Sequence, residues 1–437
     1  MTAAARLLRI ACLDCGAFVA SLAHGIALAQ AAETGPPWAV ELALAGDPAA
    51  AASAAYVELL AARDGVPLSA APASPPEALR GARLVIAACE GADAARRLDL
   101  VQRRAGWMPP PEGPGAVASA VAFAPGVLAL AREAARTAPE APLLLLGSGA
   151  DVLAGAVRRR FGVGGFRAMG FSPRVDELRA VLGHLLGAPE EDILLLHGGV
   201  DQVGWVVRFA VGGRDGYGEL GDRLAALGGR PDLRPAERLI PAVYGLTGML
   251  RAGAGSVWPF APGDGAAGPP GPRSFPRGVP ARQAALSAAV ARGTALDAAG
   301  GHPDDSPLVA APAGRALGRM ARALATGELA IVALQMPYAG DVLGWSPEVT
   351  VEVPAAVAGA RVEPVAVGPL PPGVDGIPRL LGQQRSLASD YLARPDEAAL
   401  CRALAATPEW GRMDQIRGMA AALHAEFGTD LLAAVGP

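Results

Sequence analysis

The sequence predicts an α/β protein that has a Rossmann-like N-terminal domain and an α+β C-terminal domain. Through the first half of the 437-residue chain, short apolar runs alternate with helical segments of ten or more residues, which is the pattern of βαβ units on a parallel sheet. Beyond about residue 165 this pattern changes, and a Pro- and Gly-rich loop is predicted over 255–282. We therefore expect two domains, over residues 1–168 and 169–437.

The strands of the first domain are predicted from apolar runs of strand length at 7–13, 40–45, 84–88 and 143–146. Helical segments separate them, from Gly16 to about Ala32, over 75–82 and over 126–137. In the second domain, strands are predicted at 193–196, 205–211, 329–334 and 349–355. Helices are predicted there at 222–227, at 310–325 and from about residue 378 onward.

The charge balance excludes a nucleic-acid-binding protein. Only 18% of the residues are charged, the formal net charge is -4, and no block of one sign occurs. Nucleic-acid recognition needs clustered basic residues, so we expect no such partner. The chain contains neither lysine nor asparagine, and all 38 basic residues are arginine. Because of this compositional bias, an asparagine that is missing from a motif is weaker evidence for a lost function than a missing glycine.

The apolar N-terminal region is predicted to be neither a signal peptide nor a membrane span, because Asp14 and His24 interrupt it. We expect a cytoplasmic protein without membrane contact. Cys12 and Cys15 form a C-x-x-C, but no second cysteine pair follows at zinc-binding spacing. We interpret these two cysteines as part of an apolar strand end.

A set of motifs in the last third of the chain carries a family resemblance. VTVEVPAAVAGARVEPVAVGPLP is similar to a V-E-V-P-A strand followed by G-x-x-P-x-x-V-G-x-L-P, a signature of glycoside hydrolase family 4. The matching positions are Glu352, Pro354, Pro364, Gly368, Leu370 and Pro371. Upstream, the strand–loop–helix segment that contains Arg96 and Asp99, and the EGPG turn at 112–115, resemble family segments in the same order.

This resemblance implies NAD-dependent chemistry on a sugar or glycoside, outside the usual two-carboxylate scheme. In the family, NAD oxidises a sugar hydroxyl, a base that is usually Tyr removes the neighbouring proton, and the aglycone leaves by elimination. A divalent metal, often manganese, is held by Cys and His and stabilises the enediolate. NAD and a divalent metal are therefore the implied cofactors, and a small-molecule glycoside is the implied partner.

The positions that correspond to the family's dinucleotide loop, G-G-G-S, are Asp14, Cys15, Gly16 and Ala17. Glycines let the backbone approach a pyrophosphate at a helix N-terminus, and only Gly16 is present here. Asp14 places a carboxylate where phosphates would lie. With Glu90, these residues form a degenerate NAD site, and we predict that NAD binding is lost.

The family's two metal ligands are replaced in this sequence. The Cys of its G-L-C motif corresponds to Ser172, and the His of its G-L-N-H-x-x-W motif corresponds to Gln202, with Trp205 fixing the second match. Neither Ser nor Gln is a usual ligand for manganese or zinc. We therefore predict no metal site.

The resemblance places Arg96, Asp99, Gly149 and Glu352 at the substrate pocket. Arg96 and Asp99 stand at i and i+3, so an intrahelical ion pair is an alternative. The family's N-Y-T-N-P turn is GSGA at 147–150, without the amides that would bond sugar hydroxyls. The VEVPA segment also has a purely structural interpretation as core. Tyr244 is the nearest candidate for the base, and a structural role is its alternative.

Two other groups of polar residues are candidates for a remodelled site. His197 ends the ILLLH run and Asp201 follows it, while His302, Asp304 and Asp305 form a second group. A histidine and carboxylates in one cleft can act as acid and base or bind a metal. HPDDS is equally compatible with a helix N-cap beside a proline, and the first group with an ordinary surface loop.

The sequence thus predicts a degenerate homologue of family 4 glycoside hydrolases in carbohydrate metabolism, without NAD- and metal-dependent elimination, and we expect it to form a homo-oligomer. One alternative is an active enzyme on a sugar or sugar-derived metabolite that uses His197, Asp201 and the 302–305 group. Another is a non-catalytic binding or regulatory partner of an active homologue.

Overall fold

A twelve-stranded mixed sheet forms the centre of the protein in the computed structural model. The structure describes residues 6–35, 37–109, 112–162, 167–201, 203–227, 240, 243–253, 279–293, 295, 311–407 and 412–435. The strands are β1 (Arg6–Leu13), β2 (Trp38–Ala45), β3 (Leu68–Pro72), β4 (Leu84–Ala88), β5 (Leu143–Leu146), β6 (Ala168–Phe171), β7 (Ile193–Val200), β8 (Val203–Val211), β9 (Arg214–Asp215), β10 (Ala330–Met336), β11 (Val351–Ala358) and β12 (Arg361–Pro364).

Helices cover the sheet on both faces. They are α1 (Phe18–Ala31), α2 (Ala50–Asp64), α3 (Pro75–Leu79), α4 (Ala92–Ala105), α5 (Pro114–Thr137), α6 (Ala150–Phe161), α7 (Arg174–Leu186), α8 (Gly216–Leu227), α9 (Val279–Arg292), α10 (Ala311–Thr326), α11 (Gly376–Ala393), α12 (Glu397–Ala405) and α13 (Met413–Val435). Single 3₁₀ turns occur at Glu190–Asp192 and Gly340–Leu343. Of the predicted loop 255–282, residues 279–282 are helical and the rest lies outside the described residues.

Six parallel strands form one half of the sheet, in the order β3-β2-β1-β4-β5-β6. This is the strand order of a dinucleotide-binding Rossmann fold, in which ligands bind at the carboxyl ends of the strands where the order reverses. The predicted α/β class and Rossmann-like first half are therefore confirmed. The four predicted strands of this half are present, whereas β3 and β6 were not predicted.

The other half of the sheet is antiparallel, in the order β10-β11-β7-β8-β9, with β12 paired to β11. It joins the parallel half where β10 pairs with β6, through Gln335 and Gly170. One sheet thus passes through both predicted domains, and β6 spans the predicted boundary at 168/169. The division into two domains stays a prediction.

Helix α10, from the second half of the chain, packs tightly on α1 of the first half. A Cβ on Gly25 would overlap the carbonyl of Gly314, and a Cβ on Gly318 would overlap the carbonyl of Gly25. The three glycines therefore let the two helix backbones approach more closely than any side chain would permit. This contact brings residues about 290 positions apart in the sequence into the core above β1.

Helix α5 is long and apolar enough to cross a membrane by length and composition, but 72% of its most apolar 18-residue window is buried inside the fold. It is a core helix, packed against α4, α6 and α13. The sequence predicted only its second half, from residue 126. Pro125 and Gly126 lie inside the helix, although such residues usually mark a boundary.

Candidate functional site

Four residues that pair with one another in register cross four adjacent strands. Two of them carry buried polar side chains of the site. Gly170 on β6 pairs with Gln335 on β10, which pairs with Glu352 on β11, which pairs with Gly199 on β7. Residues opposite one another on neighbouring strands point to the same face of the sheet. Gln335 and Glu352, 2% and 3% exposed, therefore lie side by side inside the protein.

The glycine of β6 makes room for the glutamine. A Cβ on Gly170 would overlap the Oε1 atom of Gln335, so any larger residue would displace this amide. The position of Gln335 is thus fixed by the backbone of its neighbour, and its Nε2 group is turned away from β6.

That Nε2 group donates to two carboxylates. It lies 3.0 Å from Oδ1 of Asp201 and 3.5 Å from Oε2 of Glu352. An amide nitrogen is a donor and carboxylate oxygens accept, so Gln335 holds the ends of β7 and β11 together through their acidic side chains. Asp201 is also buried, at 8% exposure.

The two carboxyl groups influence each other. Burial raises the pKa of Glu352 well above its usual value, and the nearby Asp201 raises it further, against the opposing effects of Gln335 and Arg174. Two carboxylates in a site of low polarity do not both ionise easily. We conclude that Glu352 holds its proton over a pH range in which an exposed glutamate has lost it.

Two arginines and a third acid complete the group. Burial disfavours the charged form of Arg174 and so lowers its pKa. The nearby carboxylates of Glu177, Asp201 and Glu112 outweigh that effect, and the pKa is raised. Burial lowers the pKa of Arg251 to about 10, with Glu112 opposing the shift. We call this set the polar cluster: Glu112, Arg174, Asp201, Arg251, Gln335 and Glu352.

A fully buried ion pair fixes one side of the polar cluster. Arg385 on α11 donates to Oδ2 of Asp151, in the first turn of α6, at 2.8 Å. Its other nitrogens donate to the carbonyls of Glu112 at 2.6 Å and Gly113 at 3.1 Å. Arg385 thereby ties α11, α6 and the turn before α5 together, and it orients the turn that presents Glu112.

The structure describes one of the two predicted metal-ligand positions, Ser172. Ser172 is buried just after β6, two residues beyond the partner of Gln335, and Gln202, which follows Asp201, lies outside the described residues. Within the described ranges, no group of three or more His, Cys, Asp or Glu side chains is arranged to hold a metal. The space between the Asp201 and Glu352 carboxylates is taken by the Gln335 amide donor, and Arg174 supplies positive charge. This arrangement does not fit a divalent cation.

The degenerate nucleotide loop lies between β1 and α1, at the carboxyl end of the parallel strands. Asp14 and Gly16 both have left-handed backbones, with φ of 55° and 52°, and Ala17 caps the helix without a side-chain bond. Burial raises the pKa of Asp14, and the nearby Asp47 raises it further. Two carboxylates flank the loop where a pyrophosphate would need positive potential, so these residues do not fit NAD.

Glu90 and Gly149 belong to the neighbouring strand ends. Glu90 accepts a hydrogen bond from the backbone N–H of Ser148 at 2.9 Å, and burial raises its pKa. Gly149 has a φ of 75°, and a Cβ there would lie 2.7 Å from the carbonyl oxygen of Ala116. Glu90 thus connects the end of β4 to the turn after β5, and Gly149 lets that turn pack closely on α5. Both residues therefore have a structural role.

The structure separates His197 from Asp201. His197 is buried on β7, where burial and Arg179 lower its pKa to about 4 while Asp176 opposes the shift. Asp176 pairs with Arg179 and Arg319, which belong to α7 and α10. Asp201 belongs instead to the polar cluster, so these two candidates for a remodelled site face different charged and polar neighbours.

Arg96 and Asp99 point into solvent on α4. Arg96 pairs with Asp93, at 75% and 66% side-chain exposure, and Asp99 accepts from Arg103. They neither pair with each other nor reach the polar cluster. Tyr244 stacks on Tyr217 with ring centroids 6.0 Å apart, which is a structural contact. His302, Asp304 and Asp305 lie outside the described residues.

Sequence reasoning identified Asp201 and Glu352 but missed the residues that connect them. Gln335 lies in an apolar strand (AIVALQM), and a single polar residue at a buried position was the available signal. Arg174 follows the predicted metal motif directly, and Arg251 follows the Tyr244 segment. No periodicity distinguishes these arginines from the other basic residues.

Comparison with solved structures agrees with this architecture. A 6-phospho-alpha-glucosidase from gut microorganisms, in complex with NAD and Mn²⁺, superposes with a TM-score of 0.75 at 14% identity, over 96% of this chain and 98% of that chain. LplD of Bacillus subtilis, assigned as a glucosidase, gives 0.75 at 18% identity, over 95% and 99%. The 6-phospho-beta glucosidase of Thermotoga maritima with manganese, NAD+ and glucose-6-phosphate gives 0.72 at 14%, over 96% and 98%. This chain has the glucosidase fold.

The fold expected from the resemblance to family 4 glycoside hydrolases is therefore confirmed. The glucosidase fold extends over nearly the whole of both chains in each comparison, so the sequence has diverged without loss of the architecture. No protein-family model matches the sequence, and no curated protein matches it. At identities of 18% and below, the likeness establishes the fold alone.

Proposed function

We propose that this chain is a divergent homologue of family 4 glycoside hydrolases in carbohydrate metabolism, which binds a sugar or glycoside and does not catalyse NAD- and metal-dependent elimination. The observation that carries the proposal is the Gln335 amide held between Asp201 and Glu352. An amide donor and the Arg174 charge take the place of a cation there. Two of the compared glucosidases were crystallised with NAD and Mn²⁺, and we propose that this chain has lost the chemistry of such enzymes.

Thermal shift and turnover together test this proposal. The protein is titrated with NAD+, with Mn²⁺ and with both, and is then assayed with nitrophenyl glycosides and nitrophenyl 6-phosphoglycosides. We expect no shift in Tm from the cofactors and no release of nitrophenol. A 6-phospho-glucosidase of the compared fold, assayed in parallel, is the positive control. Hydrolysis that requires both NAD+ and Mn²⁺ would refute the proposal.

A second candidate function is direct acid–base chemistry on a sugar, without NAD or metal. It is favoured by a protonated Glu352 close to Asp201, whose negative charge interacts with the positive charge of Arg174. Glu352 would donate a proton to a leaving oxygen and ionised Asp201 would accept one from the attacking water, which requires the Gln335 amide to move out from between them when the sugar binds. Turnover that persists in a chelator and is lost in both Asp201→Asn and Glu352→Gln would support this candidate. Turnover unchanged in either variant would exclude it.

We propose that the protein is a cytoplasmic homo-oligomer that engages neither nucleic acid nor membranes. Light scattering coupled to size-exclusion chromatography measures the oligomeric state. Added active homologue in the same experiment tests the alternative of a regulatory partner, which predicts a mixed complex.

A further inference from the structure

The turn between β1 and α1 keeps a left-handed backbone but carries an acid within it. Asp14 has a φ of 55°, in the region that glycine adopts without strain and that aspartate adopts more readily than most residues. Its carboxylate packs directly against Gly46, at the end of β2, where any Cβ would overlap it. The side chain thus lies between the carboxyl ends of two adjacent parallel strands.

A second acid, Asp47, lies over the same turn. Its Oδ2 atom is 3.4 Å from the position of a Cβ on Gly16, and its Oδ1 atom accepts the N–H of Ala49 at 2.8 Å, which caps α2. An acid at the end of β2 is compatible with a nucleotide, because Rossmann proteins use one to bind ribose hydroxyls. Asp47 alone would therefore not exclude a dinucleotide.

Helix α1 also retains the features that favour an anion. Its first turn contains no acidic side chain, and Ala17 makes no side-chain cap. The positive end of the helix dipole is consequently not neutralised by a residue of its own helix. Of the two carboxylates beside the loop, Asp14 is the one whose charge opposes a phosphate without serving as a cap or a ribose ligand.

We infer that Asp14 is the residue that excludes dinucleotides from this cleft, and that the rest of the β1–α1 turn remains compatible with a pyrophosphate. This inference rests on the proposed function, because it explains how the cofactor was lost. It predicts that removal of one charge restores affinity for NAD+ without any change at the polar cluster.

Isothermal titration of NAD+ into three variants tests the inference. Asp14→Asn removes the charge and keeps a side chain that tolerates the left-handed backbone, whereas Asp14→Gly also removes the side chain and its strain. We expect both variants to bind NAD+ at least about tenfold more tightly than the unaltered protein. Asp222→Asn, which removes one exposed carboxylate on α8, is the charge-matched control and should bind as the unaltered protein does.

The outcomes separate the inference from the proposed function. If Asp14→Asn binds NAD+ no more tightly than the unaltered protein, the inference is wrong, even if Asp14→Gly binds, because the charge is then not the obstacle. If Asp222→Asn gains the same affinity, net charge and not Asp14 is responsible. NAD+- and metal-dependent hydrolysis by the unaltered protein would instead refute the proposed function, whatever the titrations give.

Discussion

At the scale of single residues, the polar cluster depends on one neutral amide. Gln335 on β10 bonds to two buried carboxyl groups, one directly after β7 and one on β11. A buried polar group that loses its hydrogen-bond partner destabilises the fold by more free energy than the intact bond contributes to stability. The amide is therefore required by the fold as well as by any ligand that the cluster binds.

Replacement of Gln335 by leucine should destabilise the protein by about 1–3 kcal/mol, because Asp201 and Glu352 each lose a donor while the volume is nearly kept. Urea denaturation measures the free energy of unfolding. Gln383→Leu, at an exposed position of α11, is the matched control and should change it by less than about 0.5 kcal/mol. Equal effects of the two substitutions would show that the amide bonds do not matter.

The proton on Glu352 should make stability depend on pH. Because burial raises the pKa of the folded carboxyl above its usual value of 4.5, the folded protein binds this proton more tightly than the unfolded chain does. The free energy of unfolding should then fall as the pH rises above 4.5, until the folded group ionises. Glu352→Gln should flatten that slope, measured as urea midpoints at several pH values between 4 and 8. An identical slope in the variant would contradict this account.

At the scale of elements, much of the fold was predictable because apolar runs and helical segments alternate along the chain. β4 and β5 were predicted at their observed bounds, since each is a continuous apolar run with a glycine-containing turn after it. β3 (LSAAP) and β6 (AMGF) were missed because they are short and their burial comes from neighbouring strands. Asp201 was predictable in the same way, because it follows a predicted strand, whereas Glu352 was predicted from the resemblance to the family 4 signature.

Gln335 was not predictable as a site residue. Its partners lie 134 and 17 positions away in the sequence, and only the register of β10, β11 and β7 brings them together. His197 and Asp201 lie along one strand, His197 on β7 and Asp201 directly after it. Residues four apart on an extended strand are roughly 13 Å apart, so spacing along the chain could not place them in one cleft.

The close contact of α1 with α10 gives an element-scale prediction. Gly25→Ala places a methyl group into the Gly314 carbonyl, so the helices must separate, at a cost of about 1–3 kcal/mol or more. Gly126→Ala is the control, since it also lies inside a helix, and nothing lies within 4 Å of its Cβ position. It should stabilise by up to about 1 kcal/mol. Thermal unfolding of the two variants should therefore shift in opposite directions.

At the scale of the whole molecule, Arg385 and Asp151 connect the C-terminal helices to the Rossmann-like half. The pair is 0% and 2% exposed, and the bonds from Arg385 to Asp151, Glu112 and Gly113 join segments far apart in the sequence. A buried ion pair stabilises little relative to apolar residues, but removal of one partner leaves an uncompensated charge. We therefore expect this ion pair to fix the position of the C-terminal helices on the Rossmann-like half more than it adds to stability.

Arg385→Met should destabilise the protein by about 3–5 kcal/mol, since Asp151 stays buried without its counter-charge. The double variant Arg385→Met with Asp151→Leu should recover part of this loss, as measured by denaturant midpoints. Arg361→Ala, which breaks a surface pair with Glu363 at 77% and 59% exposure, should cost less than about 1 kcal/mol. If the double variant is no more stable than the single one, the unpaired charge is not the cause.

The glycine contact between α1 and α10 also bears on how the chain is made. During synthesis, residues 18–31 leave the ribosome long before residues 311–326. The face of α1 that contains Gly25 therefore has no covering helix for most of translation. A nascent N-terminal half would present that apolar face to chaperones until the late helix arrives. Ribosome-bound chains stalled before residue 311 should then be more sensitive to protease at α1 than chains stalled after residue 360.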